Sequence, residues 1–256
     1  MFKLCTKYHN SLIFFFLLFI GTITSFLNPD YIFLLSRLFI IVLLSISLEY
    51  LFKNIIKTSS FSSIQNVSFS VLIFLISGYH TNIFLLAFAV IVSHVSYHYL
   101  KYKGMTTFNP VTLGVFSLSL FGLKTTWWGI NSGFLIILLM IIFGIIINYY
   151  NGSLRITALY FLFVIIFSFL FSFNPLYSIK QIFSPGLLFF GFYILHLSLK
   201  NHNSQSSLNY AAIASLLAVT IPKFGIFTDP LITSFVLTDF LFFAIKLLIK
   251  NKNITN

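Results

Sequence analysis

The sequence predicts an all-α integral membrane protein of about ten transmembrane helices, in a single polytopic domain over residues 1–256. Three observations carry this. Apolar residues make up 59% of the chain and charged residues 7%, whereas a soluble globular domain is about one-quarter charged. Most apolar runs approach the roughly 20 residues that a spanning helix needs. Lys and Arg gather at the ends of alternate runs, which is the orientation signal of a helical membrane protein.

The first segment, 11–28, follows Lys3 and Lys7 like a signal peptide but lacks the small-residue cleavage pattern, so it reads as a retained span. It stops at Asn28-Pro29-Asp30, and a second segment covers 31–52. The third, 66–79, and the fifth, 109–122, are short; tilt, a thinned bilayer or partial re-entry would accommodate them. Between them, 81–100 follows the break at Gly78-Tyr79-His80. The second half reads as 133–149, 155–173, 184–199, 207–222 and 231–249. Its breaks are Asn151-Gly152-Ser153, Asn174-Pro175, Ser184-Pro185-Gly186 and Asp229-Pro230.

With the N-terminus inside, the inner side holds Lys3, Lys7, Lys53, Lys57, Lys101, Lys103, Arg155, Lys200, Lys246, Lys250 and Lys252. The outer side holds Lys124, Lys180 and Lys223, and Arg37 falls within a span. Both termini are therefore expected inside. The net charge of +11 reflects this placement; with no basic patch or motif, nucleic acid is not an expected partner, and the lipid bilayer is. The single Cys5 excludes a disulfide framework or a cysteine-ligated cluster within the chain.

The stretch from Tyr102 to Gly114 is the most informative. Pro110 suits the first turn of a helix, and the Asn109 side chain can cap it. A short helix is expected here beside a central cavity, with Lys101 and Lys103 at its mouth. Asp239 lies about 12 Å into the last segment and Arg37 about 9 Å into the second from the same face, at 1.5 Å per residue. Matched depth suggests an Arg37–Asp239 pair, either structural or on a pathway. Asn109, Thr112, Asp239 and Arg37 are thus the candidates for an ion path. Glu49 precedes Lys53 by one helical turn and is expected to pair with it. His94 and His98 share a helix face at a spacing that suits a metal or haem. Without a third ligand, interfacial hydrogen bonding is the expected role and no metal is expected. Trp127 and Trp128 read first as part of an interfacial aromatic belt. With Asp30, Glu49, Asp229 and Asp239 as the acids, no nucleophile–base–acid set is legible, and no catalytic residue is expected.

Lys101 and Lys103, then Phe108-Asn109-Pro110, Gly114 and Trp127-Trp128-Gly129, resemble the NqrB/RnfD-like family. These are the membrane subunits of Na+-translocating quinone reductase and Rnf electron transport complexes. Ser184-Pro185-Gly186, with the aromatic run to Phe192, is similar to the family's aromatic-rich span. The resemblance implies two inverted five-helix repeats, here 1–125 and 126–256, related to urea and ammonium channels. It also implies a redox-linked, ion-translocating complex with other membrane or redox subunits. The Asx-Pro starts at Asn109-Pro110 and Asp229-Pro230, on opposite faces by the charge count, suit such a repeat.

The departures shape the expectation. The family's flavin-bearing members attach FMN to the threonine of Ser-Gly-Ala-Thr; Ser77-Gly78 and Ser132-Gly133 continue differently. Covalent FMN is not expected, and a non-covalent flavin, a quinone or a partner would carry electrons. The residues identify no cofactor site. The aromatic span runs into His196-Leu197-Ser198 instead of Thr-Asp-Pro, and Thr228-Asp229-Pro230 comes a segment later. The other reading of the same topology is a stand-alone small-solute channel or transporter.

Overall fold

A computed structural model describes residues 2–56, 63–78, 80–102, 105–129, 133–174, 183–195, 204–225, 227 and 229–252, with the single positions 176, 180 and 198. Among the described residues, the regular structure is helical apart from one two-residue ladder. The helices are α1 (Phe2–Phe26), α2 (Tyr31–Ile56), α3 (Ser63–Ile76), α4 (Ile83–Tyr99) and α5 (Pro110–Ser119) in the first half. The second half has α6 (Phe134–Asn151), α7 (Leu154–Ser172), α8 (Pro185–Phe189, continued as a π turn over Phe190–Ile194), α9 (Ser204–Phe224) and α10 (Pro230–Lys252). After α4, Lys101–Tyr102 (β1) pairs antiparallel with Met105–Thr106 (β2).

Helix boundaries follow local chemistry. Asn82, Asn109 and Ser184 each accept a backbone N–H of the first turn, at the starts of α4, α5 and α8. Pro110 and Pro185 occupy first-turn positions where an N–H would be unpaired. Gly152 ends α6 at φ 68°, a left-handed conformation that glycine adopts without a Cβ penalty, and its N–H returns to Asn148 O and Tyr149 O.

Among the described residues, α2, α6, α7 and α9 are long and apolar enough to cross a membrane. Only 28% of the apolar window of α2 and 22% of that of α7 are buried within the molecule, so most of each presents apolar side chains outward. Phe84, Phe134 and Phe173 are about four-fifths exposed. Exposed apolar surface on this scale is compatible with a multi-pass membrane protein.

The short helices lie inside. In α3 every residue from Asn66 to Ile76 is buried, and in α8 every residue from Leu187 to Leu195 is. A helix apolar all round belongs in the core. At 1.5 Å per residue the 14 residues of α3 and the 10 of α5 reach about 21 and 15 Å, well short of a bilayer core. α8 is shorter than the segment 184–199 read from sequence; its described body ends at Leu195, with Ser198 beyond it.

Short buried helices leave main-chain groups that need partners. At the end of α3, Thr126 and Trp127 donate their N–H groups to Ile76 O, Gly129 N–H to Leu75 O, and Trp128 Nε1–H to Phe74 O at 2.9 Å. A Cβ on Gly129 would meet Leu75 Cδ2 at 2.4 Å and the Leu75 Cβ and Cα at 3.0 and 3.2 Å, so a larger residue would force the end of α3 to shift. Trp128 is buried, and Trp127 packs edge-on to Phe189 and Phe190 of α8. The expected interfacial belt at Trp127-Trp128 is therefore corrected. A buried indole must place its N–H, and an orphan carbonyl at the end of α3 accepts it. In α8, carbonyls around the π turn are met by Thr157 Oγ1 to Gly191 O and Asn148 Nδ2 to Phe192 O.

Several helix pairings of the first half, though not those of α3 with α4 and α5, have counterparts among the main pairings of the second. α1–α2, α1–α3, α2–α3, α2–α4 and α4–α5 contacts have counterparts in α6–α7, α6–α8, α7–α8, α7–α9 and α9–α10. Across the halves, α1 meets α6 and α5 meets α10.

Candidate functional site

Asn109 organises a buried polar cluster where α5 meets α8, α9 and α10. Its Oδ1 accepts the N–H groups of Val111 (3.0 Å) and Thr112 (3.4 Å), closing the N-terminus of α5. Thr112 Oγ1 donates back to Asn109 O at 3.0 Å. That leaves the Asn109 amide group and backbone N–H for other helices. Nδ2 donates to Ile194 O (3.3 Å) and to Ser198 Oγ (3.0 Å) at the end of α8. The backbone N–H donates to Asp239 Oδ2 at 2.8 Å.

Asp239 sits in the middle of α10 and is buried. Its other oxygen, Oδ1, accepts the Tyr210 hydroxyl of α9 at 2.6 Å. A carboxylate inside an apolar bundle is costly unless donors surround it. Here one donor is main chain and one is phenolic, beside the positive end of the α5 dipole. Among the described residues, the groups that hold the carboxylate are these two donors.

The expected Arg37–Asp239 pair is corrected. Both Asp239 oxygens are taken by Asn109 and Tyr210, while the Arg37 guanidinium lies 4.2 Å from the ring centroid of Phe33, on its own helix. Equal depth fixed neither the neighbour nor the face of the helix. Arg37 therefore stands apart from the cluster that holds Asn109, Thr112 and Asp239. Lys101 extends its ammonium over the Tyr97 ring at 4.9 Å; Lys103 lies outside the described residues. Phe108 is half-buried, and Thr107 N–H closes the preceding loop onto Leu100 O. A cleft of about 10 Å³ is lined by Asn10, Gln65, Ser68 and Tyr193 among others, between α1, α3 and α8, and Asn109 is not on its wall.

At the far end of α5 the chain builds a second cap. Asp229 Oδ1 accepts Ile232 N–H at 3.0 Å, and Thr233 Oγ1 donates to Asp229 O at 2.7 Å. Asp229 Oδ2 accepts Thr125 N–H and the Thr125 hydroxyl. Asn109 touches Asp239 while Thr125, beyond the end of α5, touches Asp229. The two helices therefore run antiparallel side by side.

Glu49 also departs from expectation. It is buried and faces α3 and α4: Asn66 Nδ2 donates to its Oε2, and His98 Nε2 lies 3.1 Å from the same oxygen. Its oxygen turns between helices toward Asn66 and His98 instead of lying only along α2, where the one-turn pair with the exposed Lys53 was expected. His94 contacts Val90 O through Nδ1 (3.0 Å) and Ser45 Oγ through Nε2 (3.2 Å). His94 and His98 thus engage in hydrogen bonding. Among the described residues no three His, Cys, Asp or Glu side chains are grouped to hold a metal ion.

No family model and no curated protein matches the chain.

Tyr210, Ser198 and Asn66 were not singled out by sequence. Asn66, polar inside a short apolar run, carried a local signal. Tyr210 looks like any segment-end tyrosine until α9 is laid against α10.

Proposed function

We propose that this chain is the membrane subunit of a redox-linked, ion-translocating electron transport complex, similar to the NqrB/RnfD-like family, and that it contributes part of the ion path. One observation carries the reading. The asparagine of Phe108-Asn109-Pro110, the motif on which the resemblance rests, holds a buried carboxylate, Asp239, through its backbone N–H. An ion crossing apolar helices needs such a group. Ten membrane segments with both termini inside, related as inverted repeats 1–125 and 126–256, complete the proposal. The recurrent helix pairings and the antiparallel α5 and α10 support the repeat.

Electrons would pass through a non-covalent flavin, a quinone or a partner subunit. Mild-detergent purification from native membranes tests this. Co-purifying redox subunits, and a flavin absorbance lost on denaturing gels, are the expected result. A fluorescent flavin band that survives denaturation would reject the non-covalent arrangement. The recurrent pairings equally suit a stand-alone channel of the urea and ammonium type. A colourless protein without partners that passes a small neutral solute into vesicles would select that reading. Labelling of single cysteines placed after Lys57, Lys103, Arg155 and Lys200 should report the inner side in every case. An outer-side signal at Lys103 would reject the topology.

A further inference from the structure

We infer that the buried polar side chains between α2, α3 and α4 form a binding site for a small monovalent cation of sodium's size, separate from Asp239. The inference does not rest on the redox reading. Three one-turn pairs meet there: Ser45 and Glu49 on α2, Asn66 and Ser70 on α3, His94 and His98 on α4. A spacing of four residues puts each pair on one helix face, so the six side chains form two tiers. Glu49, Asn66 and His98 make the tier on the side of Lys53 and Lys101. Ser45, Ser70 and His94 make the other, one helical turn away.

One network joins the tiers. Asn66 Nδ2 donates to Glu49 Oε2 and lies 3.5 Å from His98 Nε2, which is itself 3.1 Å from that oxygen. The main-chain oxygen of Asn66 lies 3.4 Å from Ser45 Oγ and 3.3 Å from Ser70 Oγ. The two hydroxyls are 2.9 Å apart, and Ser45 Oγ is 3.2 Å from His94 Nε2.

Asn66 gives an independent sign of a ligand. The residue is fully buried, and its Oδ1 has no hydrogen-bond partner among the described residues. A buried amide oxygen normally has a donor. The two ends of an amide are about 2.2 Å apart by its bond lengths, so Oδ1 stands beside the Glu49 carboxylate. An amide oxygen next to a carboxylate is a ligand pair for a hard cation.

The charge and spacing of the oxygens set the class of ion. Glu49 is the one carboxylate among the six side chains, so a single positive charge balances it. A divalent ion would leave an excess charge in apolar surroundings. An ion that holds oxygens at about 2.3–2.6 Å, as calcium does, spaces neighbouring ones about 3.3–3.7 Å apart at right angles. Sodium is nearly calcium's size, and the oxygens of Ser45, Ser70 and Asn66, at 2.9, 3.3 and 3.4 Å, are already close to that spacing. Potassium is larger and would have to push them further apart. The hydroxyl protons leave room for an ion. Val90 O lies 3.0 Å from His94 Nδ1, so that nitrogen carries a proton, and Nε2 of the neutral ring accepts the proton of Ser45. The Ser45 oxygen then offers its lone pairs to the site.

The test uses the full chain in lipid nanodiscs, titrated with sodium chloride or potassium chloride at constant total salt. Equilibrium binding of radioactive sodium is read together with thermal unfolding. Sodium should bind to the wild-type protein and raise its unfolding midpoint, and potassium should compete at least roughly tenfold more weakly. Asp239→Asn should keep one bound sodium per chain, and adding Glu49→Gln should remove it. Ser45→Ala and Ser70→Ala keep the charge and should each raise the half-saturating sodium concentration roughly tenfold. A wild-type protein that binds no sodium would overturn the inference, leaving Asn66 and His98 alone to serve the Glu49 charge. Equal competition by potassium would also overturn it, as would sodium binding that is unchanged by Glu49→Gln or lost in Asp239→Asn.

Discussion

The caps of α5 and α10 share a backbone plan and differ in one functional group. Both begin Asx-Pro, both use the Asx side chain on first-turn N–H groups, and both are backed by a threonine hydroxyl, Thr112 or Thr233. Asn109 is an amide, so it accepts with Oδ1 and donates with Nδ2 to the end of α8. Its backbone N–H is left for a carboxylate on another helix. The Asp229 side chain has only acceptors, and its second oxygen takes the Thr125 N–H from the chain just beyond α5. The difference teaches how one motif serves two ends. The carboxylate that is the cap at one end is, at the other, a separate group held against it between helices.

Exchanging the caps should break this contrast most strongly. Asn109→Asp removes the donor to Ile194 O and sets a second carboxylate beside Asp239, which should cost about 3–5 kcal/mol in thermal unfolding measured in detergent. Adding Asp239→Asn to it should recover most of the loss; equal stability of the single and double variants would show that the two groups do not interact. Next is Tyr210→Phe, which leaves Asp239 Oδ1 without its hydroxyl donor and should cost about 1–3 kcal/mol in the same assay. Asp229→Asn keeps an acceptor for Ile232 N–H and should lose only about 1 kcal/mol. A larger loss there than for Asn109→Asp would reverse the assignment of roles. The smallest effects belong to the shared part: Thr112→Val and Thr233→Val should each lower stability by about 1 kcal/mol or less, and by similar amounts.

Much of the architecture was legible because the apolar runs are bounded by residues with definite local preferences. Asn109-Pro110, Ser184-Pro185, Asp229-Pro230 and Asn151-Gly152 mark real helix ends, and the ten described helices fall on the ten segments read from sequence. What failed were statements about neighbours. Depth along a helix placed Arg37 level with Asp239, but depth does not say which way a side chain faces. Glu49 and Lys53 have the spacing of a one-turn pair, yet Glu49 turns into the bundle toward Asn66 and His98. Trp127 and Trp128 have the composition of an interface, and their actual role is to close a helix that stops inside the protein. The membership of the Asp239 site depends on contacts between residues as far apart as Asn109 and Asp239, which no local pattern encodes.

We propose that Asp239, held by the Asn109 cap, lies on an ion path driven by electron transfer. Sodium and proton uptake into vesicles containing the assembled complex, with and without a reduced electron donor, tests it most directly. The account predicts that uptake of one of these ions requires the donor, and that it is abolished in Asp239→Asn while the complex still assembles. Flux that needs no donor and is unchanged in Asp239→Asn would contradict it.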